Sequence, residues 1–200
     1  MKTEEKIVAV VSSTGGPGTL QQLLSGLPVN LAAPVLVVQH MPAGFTASLA
    51  DRLNRNCEIH VKEGEDGERI EKGTVYLSVG GKHLEVKRSR GGSHQIVYQD
   101  EPAREGVKPC GNFMYESLID SGYGEIICVV LTGMGADGTE GIENLKNSKT
   151  VYVITQSKET CAVYGMPRAV DMAELTNESV PLDKVAEAII KNVGVMKDGC

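Results

Sequence analysis

The sequence predicts an α/β fold: a doubly wound, mostly parallel sheet with helices on both faces and an antiparallel hairpin added at one edge. Three observations carry this expectation. Apolar, β-branched runs at residues 7–11, 34–39, 125–131 and 150–154 read as buried strands. Segments with apolar residues at helical spacing lie between them, the alternation that builds a parallel sheet covered by helices in a Rossmann-like three-layer sandwich. Residues 58–98 break the pattern with short alternating segments divided by glycine pairs.

After the first strand, "GPGTLQQLLSGL" places Leu20, Leu23, Leu24 and Leu27 on one helical face that ends near Gly26. The second strand leads into "AGFTASLADRLNRN", where Phe45, Leu49 and Leu53 repeat the spacing. In "TVYLSVGGKHLEVKRS" and "HQIVYQ", with Gly pairs at 80–81 and 91–92, the chemistry is that of hairpins. "NFMYESLIDSGYG" returns to helix, and "PLDKVAEAIIKNV" closes the chain with Leu182, Val185, Ile189 and Val193 on one face. The terminal "KDGC" is expected to fray. No internal repeat or low-complexity linker interrupts the pattern, so residues 1–197 are expected to form one domain.

A chain of 200 residues can bury roughly 70% of its unfolded surface and needs no staples. Its five cysteines, Cys57, Cys110, Cys128, Cys161 and Cys200, contain no C-x-x-C pair, which suits reduced thiols in a cytoplasmic protein better than disulfides or a zinc site. A net charge of −6 with no compensating basic tail opposes nucleic-acid binding. No aliphatic run approaches the ~20 residues that span a bilayer, and "MKTEEKIVAVVSS" has neither the core nor the flanks of a secretory signal. The expectation is a soluble cytoplasmic protein without direct membrane insertion.

In an open parallel sheet, sites form beyond the carboxyl ends of the strands, near the point where strand order reverses. Three loops meet this rule. The first strand ends in Ser12-Ser13-Thr14-Gly15-Gly16, the second in "QHMPAGF" with His40, and the strand at 125–131 in "TGMGADG" with Asp137. A serine hydroxyl becomes a competent nucleophile when an imidazole takes its proton, and the imidazole needs a carboxylate to fix its tautomer. The glycines after Ser13 permit a sharp turn and leave amides free for an oxyanion. The chain order Ser, His, Asp differs from those of chymotrypsin, subtilisin and the α/β-hydrolases, and Val11 stands where a G-x-S-x-G elbow has its first glycine.

Each piece alone has a plainer explanation. Ser13 or Thr14 would serve as a helix cap, His40 as an ordinary loop histidine, and Asp137 as a cap among turn glycines. A phosphate cradle fits less well. "STGGPG" has neither the P-loop lysine nor G-x-G-x-x-G spacing, and the second strand ends in Gln39-His40 rather than in the acidic residue a ribose requires.

Several long stretches in the same order resemble the catalytic domain of the chemotaxis-receptor methylesterase family, CheB. They are "IVAVVSSTGGP", "VVQHMPAGFTASLADRLN", "VKEGEDGERIEKGTVYLSVGGKHLEV", "VVLTGMGADGTEGI" and "TQSKETCAVYGMPRAV". The resemblance implies Ser13 as nucleophile, His40 as base and Asp137 as its carboxylate partner. Thr14, Gly15 and Met134 fall where the family builds its oxyanion surroundings. It also implies hydrolysis of glutamate γ-methyl esters on the cytoplasmic helices of methyl-accepting chemotaxis receptors, with glutamine deamidation as a companion activity and with no metal or organic cofactor.

Two departures stand out. The family's Arg-Pro-Ser-Val-Asp-like stretch is replaced by "KPCGNF", with Cys110 and Asn112 at the changed places. This keeps open a non-catalytic receptor-binding module of the same fold, and a minor role for Cys110 as nucleophile. The second departure is that no receiver domain precedes the motifs, although a receiver domain or response regulator, in cis or in trans, belongs among the implied partners.

Overall fold

The computed structural model describes residues 5–197. The expected fraying at 197–200 thus falls almost wholly outside the described residues, as does Cys200. The chain opens with strand β1 (Lys6–Ser12), helix α1 (Gly16–Ser25), β2 (Val35–Gln39) and α2 (Thr46–Asn56). Four strands follow, β3 (His60–Glu63), β4 (Thr74–Leu77), β5 (His83–Arg88) and β6 (His94–Gln99). Then come α3 (Gly111–Ser117), β7 (Glu125–Val130), α4 (Thr139–Lys146) and β8 (Thr150–Gln156), and finally α5 (Met166–Met172), β9 (Glu178–Val180) and α6 (Leu182–Val193).

Seven strands form one sheet in the order β3-β4-β2-β1-β7-β8-β9, and every pairing in it is parallel. The chain begins in the middle at β1, builds outward through β2, then crosses back to lay β7 on the other flank of β1. The reversal of strand order lies between β1 and β7, where this fold opens a crevice at the carboxyl ends.

The strand residues alternate between two apolar layers because successive side chains point to opposite faces. Val8 and Val10 join Leu20, Leu24, Leu49, Leu53, Val185 and Ile189, which places α1, α2 and α6 on one face. Ile7, Ala9 and Val11 join Met114, Tyr115, Ile142, Leu145, Met166 and Val170, which places α3, α4 and α5 on the other. Leu84, Val86 and Ile96 of the β5–β6 hairpin pack into this second layer.

The antiparallel hairpin is present as a separate two-stranded sheet. Backbone bonds from Gly67 to Ile96, Ile70 to His94 and Ile96 to Glu68 tie β6 to the loop joining β3 and β4. Only the glycine pair at 91–92 turns this hairpin. Thr74–Leu77, which alternates like a hairpin strand, instead runs parallel between β3 and β2. Its Val75, Tyr76 and Leu77 are all buried, the condition of an inner parallel strand.

Phe45 also departs from its expected place: it precedes α2 and is 60% exposed, outside the buried stripe that Leu49 and Leu53 continue. Short α4, α5 and β9 had no sequence signal of sufficient length. At the centre, the buried Tyr115 hydroxyl is shared between the carbonyls of Ala9 and Val129, at 3.1 and 3.2 Å, and so joins α3 to both central strands. Replacing Tyr115 by Phe is expected to cost about 1 kcal/mol and to lower Tm by about 2–4 °C, as measured by thermal denaturation.

Candidate active site

The carboxyl ends of β1, β2 and β7 bring Ser13, His40 and Asp137 to one edge of the sheet. The loop after β7 returns Asp137 toward α3, where its carboxylate is almost fully enclosed. His40 Nε2 donates to Asp137 Oδ2 at 2.6 Å, and the two side chains are only 8% and 3% exposed. A neutral imidazole that donates through Nε2 keeps Nδ1 as its acceptor. Nδ1 is buried and has no protein partner among the described residues.

Three further donors converge on Asp137. The Gly111 and Asn112 amides, at the first turn of α3, reach Oδ2 at 2.6 Å and Oδ1 at 3.0 Å. The Cys110 thiol donates to Oδ1 at 3.1 Å. Burial alone would push the carboxyl up, but the His40, Gly111 and Cys110 hydrogen bonds outweigh it and hold Asp137 below its ordinary value of 3.8.

The altered stretch is therefore part of the carboxylate's seat. Asn112 Oδ1 accepts the amides of Gly138 at 3.0 Å and Gly141 at 2.8 Å, which binds the loop carrying Asp137 to α3. Gly111 packs closely here: a Cβ would come 2.5 Å from Val11 Cγ2 and 3.2 Å from Asp137 Oδ2, so a larger residue needs these side chains to shift. Cys110 itself is fully buried. Burial, then the adjacent Asp137 charge, push its thiol up to about 12, a poor state for a nucleophile.

The two neighbouring serines have different surroundings. Ser12 is fully buried and its hydroxyl donates to Gln39 Oε1 at 2.5 Å. Ser13 is half-buried, with its hydroxyl uncommitted among the described residues, while its amide is held by the Thr132 carbonyl at 3.0 Å. Gln39 fastens this corner: its Nε2 donates to the carbonyls of Ser13 at 2.9 Å and His40 at 3.3 Å. No hydrogen bond closes between Ser13 and His40 in this state; such bonds often tighten only with substrate bound.

Thr14 and Gly15 are exposed, and Met134 is 70% exposed. Their backbone N–H groups find no protein acceptor among the described residues. Gly15 enters α1 with φ +81°, a left-handed conformation that favours glycine.

A fourth loop, after β8, completes the rim. Val163 accepts from the Gly133 amide at 3.0 Å, and the Gly133 carbonyl takes the amides of Gly165 and Met166 at 3.1 and 2.9 Å. Thr132 Oγ1 donates at 3.0 Å to the carbonyl of Thr14. Sequence reasoning missed Gln39, Thr132 and the anchoring role of 110–112. The end of β8 was accessible to the same carboxyl-edge rule that selected the other loops. Among the described residues, no cluster of three or more His, Cys, Asp or Glu is arranged to hold a metal.

Fold and site together define a class: a doubly wound α/β domain carrying a free serine hydroxyl, a histidine–carboxylate pair and unpaired amides at one sheet edge, the equipment of a serine hydrolase. The chain belongs to the CheB methylesterase family, whose model matches residues 8–189. It is 45% identical over 193 residues to the protein-glutamate methylesterase/protein-glutamine glutaminase of Geobacillus kaustophilus, covering 96% of this chain and 55% of that one. The protein of the same name from Halalkalibacterium halodurans is 45% identical over 188 residues, covering 94% and 54%. The chain thus spans about half the length of these curated relatives. The solved Thermotoga maritima CheB methylesterase catalytic domain superposes with a TM-score of 0.91 at 40% identity, covering 96% of this chain and all of that one.

Two outcomes are expected from the site's electrostatics. Because Asp137 is held below its ordinary value, its contribution to stability is complete above pH 3.8 and is lost as pH falls through its folded value. Acid unfolding of the Asp137→Asn variant, followed by circular dichroism, should lack that component. Native labelling with iodoacetamide at pH 8, mapped by peptide mass, should modify half-buried Cys57 and spare Cys110.

Proposed function

We propose that residues 1–197 form a single catalytic unit that hydrolyses glutamate γ-methyl esters on the cytoplasmic helices of chemoreceptors. The observation that carries this reading is the buried His40–Asp137 pair, whose Nδ1 has no protein partner among the described residues, at the same sheet edge as Ser13, which unlike Ser12 has an uncommitted hydroxyl. The relatives' printed name and the preserved fold support the choice of substrate.

Ser13 Oγ attacks the ester carbonyl carbon as its proton passes to His40 Nδ1, and Asp137 stabilises the imidazolium through Nε2. The amides of Thr14, Gly15 and Met134 receive the oxyanion. Collapse breaks the bond to the methoxy oxygen, which leaves as methanol with the proton from Nδ1. A water then attacks the acyl-serine and gives one proton to Nδ1; as that proton returns to Ser13 the glutamate side chain departs as the carboxylic acid, which ionises by releasing its proton to solvent. Asp137 stays ionised throughout, in keeping with its four donors.

The same steps with an amide release ammonia, so receptor glutamine deamidation is the companion activity, as in the relatives' name. No metal or organic cofactor enters these steps. The relatives' additional length leaves room for a regulatory unit, and a receiver domain or response regulator, in cis or in trans, is the proposed partner. The proposed setting is the cytoplasm; no described helix is long and apolar enough to cross a membrane. The binding-module alternative loses its motive because "KPCGNF" seats Asp137 rather than disrupting it.

The test is methanol release from methylated chemoreceptor cytoplasmic fragments. Ser13→Ala is expected to abolish turnover, a loss of roughly a millionfold, with Asp137→Asn roughly a hundredfold less severe. Retained turnover in Ser13→Ala, or an equal loss in Ser12→Ala, would overturn the assignment.

A further inference from the structure

A groove of about 320 Å³ opens beside the site, lined by Pro17, Met41, Phe45, Leu49, Arg52 and Arg55 among others. It is continuous with the site through two chain connections: Met41 follows His40 directly, and Pro17 lies in the first turn of α1, just after Ser13. Its composition is graded. The end near the site is apolar, with the Phe45 ring 60% exposed. The far end carries Arg52 and Arg55, both exposed. Among the described residues neither guanidinium has a carboxylate within ion-pair distance.

Two unpaired arginines one turn apart on α2, in a chain of net charge −6, call for negative charge from outside. An apolar ring held in solvent beside them calls for an apolar contact. Phe45, Arg52 and Arg55 are exposed along one side of the helix, and Leu49, 4% exposed, forms the floor between them at the margin of the buried stripe. The ten steps along the chain from Phe45 to Arg55 rise about 15 Å, the length of roughly three helical turns of a partner laid alongside.

We infer that this groove docks an acidic helical segment of the protein substrate, with an apolar side chain against Phe45 and Met41 and carboxylates on Arg52 and Arg55. The esterified glutamate then lies over Ser13, with the recognised carboxylates two to three turns away along the same helix. This rests on the esterase reading for the identity of the reacting residue, whereas the docking chemistry rests on the groove alone.

The test uses a fluorescent helical peptide with one glutamate methyl ester, an apolar residue one turn away, and two glutamates two and three turns away. Binding to the Ser13→Ala chain, which preserves the ester, is followed by fluorescence anisotropy. Arg52→Glu combined with Arg55→Glu is expected to weaken binding at least tenfold, and Phe45→Ala at least threefold. Binding should fall with added salt, and a peptide with lysines in place of the two glutamates should bind the charge-reversed chain better than the original one. Affinity unmoved by charge reversal, or no binding of the peptide to the Ser13→Ala chain, would overturn the inference. So would charge reversal that dissociates a dimer in sedimentation while leaving peptide affinity intact. Methanol release from the same peptide by the wild-type chain separates the two readings: binding without release refutes the esterase, and release with a KM indifferent to the arginines refutes the groove.

Discussion

The carboxylate of Asp137 is the group on which the site's geometry depends. A charge this deeply buried is tolerated only when nearly all its lone pairs are satisfied, since an unpaired buried carboxylate costs several kcal/mol. Here the donors come from separate parts of the chain: His40 beyond β2, the thiol of Cys110, and the first amides of α3. Satisfying the charge therefore joins three loops that share no local sequence. Asn112 extends the tie to the start of α4 by accepting from Gly138 and Gly141, and Arg104 bridges Glu116 and Glu140 on its outer side.

This arrangement stands on a rigid platform. The ends of β1 and β7 are fully buried between two apolar layers, and the switch in strand order falls between them. Interiors packed at such density resist small displacements, so the positions of Ser13 and of the loop bearing Asp137 are fixed by the core beneath. The alternation of a strand then separates Ser12 from Ser13. The first turns inward to Gln39, and the second emerges at the crevice.

Much of this was legible in the sequence, because its signals are strong where chemistry and burial coincide. Long apolar runs marked four of the five inner strands, β1, β2, β7 and β8, and the carboxyl-edge rule brought Ser13, His40 and Asp137 together. What could not be read has a physical reason in each case. Thr74–Leu77 alternates like a half-exposed strand, and only its neighbours β2 and β3 reveal that both its faces are covered. Phe45 keeps helical spacing with Leu49 but stands one turn before the buried stripe begins. Cys110 and Asn112 look like losses in sequence, since the amides and thiol that seat Asp137 belong to an encounter 25 to 27 residues away. Gln39 gave no signal because its role lies in bridging backbone carbonyls of two loops.

The central claim is that His40, held by Asp137, activates Ser13 and no other residue. Its most direct test needs no knowledge of the substrate: reaction of the intact chain with a fluorophosphonate, followed by peptide mass mapping of the adduct. A single phosphonylated residue, Ser13, is expected, with labelling abolished in His40→Ala and strongly slowed in Asp137→Asn. An adduct on Ser12 or Cys110, or labelling of Ser13 that persists undiminished without His40, would contradict it.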